Sequence, residues 1–66
     1  MKTKWTAQEE FESGARMAVI RIHSWIFNFP LPEAKIRARG ALAELNPKSA
    51  PCVAGMVKEL TDFLTD

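Results

Sequence analysis

Residues 7–32 read AQEEFESGARMAVIRIHSWIFNFPLP, and the fold turns on how this stretch starts, repeats and stops. Thr6 followed by Glu9 is a capping box: the threonine hydroxyl takes the amide of Glu9, whose carboxylate reaches back to the start of the helix. Glu9 and Glu10 also suit the positive end of the helix dipole. From there to Asn28 only Gly14 opposes helix, at a cost of about 1 kcal/mol relative to Ala. Phe29-Pro30-Leu31-Pro32 stops it, because proline pushes the preceding residue out of the helical region and cannot donate a backbone hydrogen bond.

Within this first helix Phe11, Ala15, Ala18, Val19, Ile22, Trp25, Ile26 and Phe29 recur with a 3.6-residue period and share one face. Ile20 and Phe27 fall almost opposite, with Met17 and Ser24 beside them. A helix apolar on two sides is either central in its domain or half covered by another chain. The remainder predicts two shorter helices. Pro32 fits the first turn of one over about 32–45, where Ala34, Ala38, Ala41, Leu42 and Leu45 line up and small residues permit close approach. Asn46-Pro47-Lys48-Ser49 is a turn, with Ser49 or Asn46 expected to cap a third helix over about 49–64. Val53, Met56, Val57, Leu60, Phe63 and Leu64 give this last helix the cleanest amphipathic stripe. The expected fold is all-α, three helices at about 6–28, 32–45 and 49–64 in one small domain spanning 1–66, forming a helical homodimer.

Sixty-six residues with one Cys and one His limit how such a domain holds together. A chain of this size hides only about 60% of the surface its unfolded form exposes. One cysteine excludes an intrachain disulfide, and one His with one Cys does not supply the four ligands of a structural zinc site. No metal or other cofactor is expected. Packing and self-association remain.

The same counts bear on compartment and function. Lys2 and Lys4 precede glutamates rather than an apolar run, so no signal peptide is read, and a lone thiol suits the cytoplasm. The apolar stretch 22–32 is far shorter than the roughly 20 residues of a membrane span, so no membrane association is expected. His23 reads as a boundary residue beside Arg16 and Phe27 rather than a general base, and Cys52 as a small buried residue in the first turn of the third helix. No catalytic residue is assigned, and the chain is not expected to be an enzyme.

Net charge near +1 argues against a protein built mainly to grip nucleic-acid phosphates. The charge is uneven, however: Arg16, Arg21, Lys35, Arg37 and Arg39 stand against Glu33 alone in residues 16–39. The leading expectation is a non-enzymatic regulator or inhibitor. It self-associates through Met17, Ile20, Ser24 and Phe27 and docks on a larger protein partner, with Trp25 as an anchor. The alternative is a module for a small anionic ligand such as a nucleotide, held by Arg16, Arg21, Lys35, Arg37 and Arg39. A third reading aligns helices two and three with a helix-turn-helix. The exposed candidates for groove contact are Ser49, Ala50, Ala54, Gly55 and Lys58, and one lysine does not read a major groove.

Overall fold

A computed structural model of the chain describes residues 5–65. Three helices follow in order, α1 (Ala7–Asn28), α2 (Leu31–Ala43) and α3 (Pro51–Thr65), with no strand among the described residues. The all-α, three-helix expectation therefore holds, with boundaries shifted by one or two residues at most ends.

Local chemistry explains each boundary. The capping box forms as expected: the Thr6 amide donates to Glu9 Oε1 at 2.9 Å and the Glu9 amide donates to Thr6 Oγ1 at 3.1 Å. At the other end Phe29 is extended (φ −137°, ψ 154°), as a residue before proline must be, and its amide still reaches the Trp25 carbonyl at 2.8 Å. The second helix begins at Leu31, with Pro32 in its first turn and the Pro30 carbonyl accepting from Ala34 at 2.9 Å. It ends at Ala43 rather than Leu45. Glu44 and Leu45 instead donate to carbonyls three residues back, at 3.2 and 3.1 Å, tightening the last turn.

The turn before α3 departs from the expected cap. Asn46 organises it, its side-chain oxygen accepting from the Lys48 amide at 3.0 Å. The Ser49 hydroxyl donates backwards to the Asn46 carbonyl at 2.8 Å, so Ser49 closes the turn instead of capping the helix. The Ala50 carbonyl then accepts from Val53 and Ala54, and α3 starts at Pro51.

Packing is dominated by α1 against α3, with α2 laid across the pair and leaning more on α3 than on α1. The result is elongated, 44 × 22 × 18 Å. Its core is thin. Ile22 and Leu60, 7% and 3% exposed, meet Ala38 at its centre, and Trp25, Leu42, Leu45, Phe63 and Leu64 pack around them. Ala34 and Ala38 are fully covered, which is how a helix with little apolar bulk comes close to its neighbours.

Two glycines set the main crossing. A Cβ on Gly14 would overlap the Cys52 carbonyl of α3, and one on Gly55 would overlap the Phe11 carbonyl of α1 and lie 2.9 Å from the Ala15 amide nitrogen. Gly14, read from sequence only as a cost to α1, is therefore the position where α3 needs the missing side chain. The buried side of α1 is correspondingly narrower than the predicted stripe. Gly14, Ala18 and Ile22 are buried. Phe11, Ala15, Val19, Trp25 and Phe29 are half-buried, and Ile26 is 46% exposed. Cys52, expected to be buried, is a half-buried free thiol whose backbone carbonyl lies against Gly14 of α1.

Candidate functional site

The second apolar side of α1 is uncovered. Phe27 is 89% exposed, Ile20 69% and Met17 55%, with Ser24 exposed among them. Positions 17, 20, 24 and 27 are spaced by three, four and three residues, so they form one strip along the helix. The capping box fixes where α1 begins, and the Gly14–Gly55 crossing fixes which side faces α3. Together they turn this strip outward. Neither α2 nor α3 covers this strip: the buried positions of α1 are Gly14, Ala18 and Ile22, on its other side.

Next to the strip lies an open groove of about 580 Å³ where all three helices meet. Met17, Ile20 and Arg21 of α1 form one wall, and Ala41, Glu44 and Leu45, at and just beyond the end of α2, form another. Trp25 and Met56 also face it, and the buried Ala18 and Leu60 close its floor. The mouth carries one guanidinium and one carboxylate, Arg21 and Glu44, over an otherwise apolar lining. Such a site suits an apolar side chain far better than a phosphate.

Four residues singled out from sequence, Met17, Ile20, Arg21 and Trp25, thus converge on one groove, and Ser24 and Phe27 continue its α1 wall along the helix. The basic residues are distributed differently. Arg16 lines a separate, more polar depression with Trp5, Glu9, Glu12 and Ser13. Arg37 lies 4.0 Å from the centre of the Phe29 ring and bridges to Glu33 at 3.2 Å. Lys35 reaches over the Phe63 ring of α3 at 5.8 Å. Arg39 is exposed on α2. So Arg16, Arg21, Lys35, Arg37 and Arg39 do not share one pocket.

Glu44, Leu45, Met56 and Leu60 complete the groove although sequence reading did not place them at the site. Leu45 and Leu60 could be found only as core positions, and Glu44 only as a helix-end charge. Their convergence depends on the angle at which α2 ends against α1. His23 is exposed on α1. Among the described residues no group of three or more His, Cys, Asp or Glu could hold a metal ion, and no helix is long and apolar enough to cross a membrane. No protein-family profile, curated protein or solved structure matches this chain.

Proposed function

We propose that this chain is a non-enzymatic interaction protein, a small regulator or inhibitor that self-associates through Met17, Ile20, Ser24 and Phe27 and docks on a larger protein. The observation that carries the reading is the exposure of Ile20 and Phe27 on a helix whose opposite side supplies the core. Large apolar side chains aligned at helical spacing make a continuous patch, and patches of this kind mark interfaces. The thin core adds to the case. A domain with Ile22 and Leu60 as its large buried side chains gains stability when a second surface covers its remaining apolar area.

Trp25, with Arg21 at its side in the groove, is the anchor for the larger partner where the self-association seam leaves it accessible. Tryptophan and arginine are both among the residue types enriched at energetically dominant interface positions. Arg16, Lys35, Arg37 and Arg39 supply peripheral charge for orienting an acidic surface.

Sedimentation equilibrium of the wild type and Ile20→Asp, each at low and high salt, tests the reading. Wild type sediments at about twice the chain mass and responds little to salt, because apolar contact releases few counterions. Ile20→Asp sediments as a folded monomer. A dimer that survives Ile20→Asp with unchanged affinity overturns the assignment of the seam.

A further inference from the structure

We infer that the groove between α1 and the end of α2 receives an amphipathic helix of the larger partner, its apolar stripe flanked by carboxylates on the Arg21 side and by cations on the Glu44 side. This rests on the docking role of Trp25 proposed above and states the chemistry of what docks there.

Charge is the first ground. Arg21 stands on the α1 wall of the groove, and Glu44 on the wall formed by the end of α2. Both are exposed, and neither side chain makes a hydrogen bond or an ion pair among the described residues. They line one opening without pairing with each other. An occupant lying between the walls gains from an acid on one flank and a base on the other, and like charge on either flank disfavours it.

Backbone chemistry is the second. Apart from Arg21 and Glu44, the only lining side chain with a strong hydrogen-bonding group is Trp25, through its indole N–H. An extended segment laid in such a groove buries backbone N–H and C=O groups without partners. No strand edge exists among the described residues to pair with them. A helix satisfies those groups internally and presents only side chains. The α1 wall from Met17 to Trp25 runs about 12 Å, a little over two turns of a helix laid along it. A small apolar molecule is a poorer occupant, because the groove is open and leaves much of its surface in water.

The chain's own outer faces are the third. The outer strip of α1 is flanked by Arg16 and Arg21, and that of α2, around Ile36, by Arg37 and Arg39. A second copy laid in the groove therefore brings cations to both flanks and meets Arg21 with like charge. The helix that fits belongs to a different protein.

The probes are three peptides free of tryptophan, each held helical by a hydrocarbon staple on its far face. All share one leucine stripe. Their flanks are glutamate on one side and lysine on the other, lysine on both, or glutamate on both. Binding is read from Trp25 fluorescence in a Trp5→Phe background, which removes the second of the two tryptophans. Circular dichroism confirms the fold of every variant. The glutamate–lysine peptide binds most tightly, by roughly fivefold over either other. Arg21→Glu makes both walls acidic and shifts the preference to the lysine peptide, and Glu44→Lys shifts it to the glutamate peptide. Arg39→Glu makes the same change in net charge as Arg21→Glu, but outside the groove, and leaves the ranking as it was. Binding at Trp25 without that ranking, or a ranking that follows Arg39→Glu, overturns the flanked helix and leaves docking at Trp25 intact. No fluorescence change with any peptide to about 1 mM overturns both.

Discussion

Gly14 of α1 and Gly55 of α3 occupy one helix crossing, each lying where the other helix's backbone would collide with a Cβ. Gly14 faces the Cys52 carbonyl and Gly55 faces the Phe11 carbonyl, so the contact is between main chains rather than interdigitating side chains. This crossing holds α1 and α3 together, orients the outer strip of α1 and lets a thin core close.

Gly14→Ala and Gly55→Ala should each destabilise the fold by about 2–3 kcal/mol, because the added methyl meets backbone that cannot swing aside. The gain in helix propensity, about 1 kcal/mol, offsets only part of the strain. Urea unfolding followed by circular dichroism measures both. Gly40 is the internal control: it lies within α2, and an added Cβ there meets no heavy atom of the described residues within 4 Å. Gly40→Ala should stabilise by about 0.5–1 kcal/mol.

Leu60→Ala removes one of the two large side chains at the centre of the core and opens a void between α1, α2 and α3. The expected loss is about 2–5 kcal/mol. In a domain this small that is enough to leave much of the population unfolded near room temperature, which thermal melts will show as a lost or strongly lowered transition.

Phe27→Ala should weaken self-association by roughly 30-fold or more, the loss of one buried aromatic anchor, with monomer stability unchanged. Arg37→Ala offers the contrast. It breaks the exposed bridge to Glu33 within α2 and the stack on Phe29, the half-buried residue that ends α1. Stability should fall by no more than about 1 kcal/mol, and the dimerisation constant should stay within twofold.

Lys58 donates to Asp62 Oδ2 at 3.0 Å and lies 3.9 Å from Glu59, and these carboxylates raise its pKa above the ordinary 10.5. The hydrogen bond to Asp62 is the larger cause, followed by the charge of Asp62 and then that of Glu59. A lysine whose folded pKa exceeds its unfolded value contributes stability below the unfolded pKa and loses it as pH rises through the folded one. The advantage of wild type over Asp62→Asn should therefore be small and constant from pH 7 to about 9.5 and shrink above about 10.5. Thermal melts across that range test it.

The helices were readable in the chain because their determinants are local. A threonine and a glutamate three positions on, as Thr6 and Glu9 are, form a capping box at a helix start, and the residue before a proline is extended for steric reasons of its own. The apolar strip of Met17, Ile20 and Phe27 follows equally from a period of 3.6 residues. Local pattern did not reveal the purpose of Gly14, which is a penalty within α1 and a necessity only against α3. Ser49 was misplaced for a related reason: a hydroxyl next to a helix start can serve the turn or the cap, and Asn46 decided between them.

The groove is the part that tertiary structure alone decided. Period identified two apolar sides of α1, but which would be core and which would be bare depends on the side α3 approaches, fixed by the Gly14–Gly55 crossing. The meeting of Arg21 and Trp25 with Glu44, Leu45 and Met56 depends on the angle at which α2 turns back after Pro30. By itself the sequence determined where the helices lie and that α1 has more apolar surface than one face can bury. Packing decided which surface stays open, because burial is a relation between elements and a helical period belongs to one.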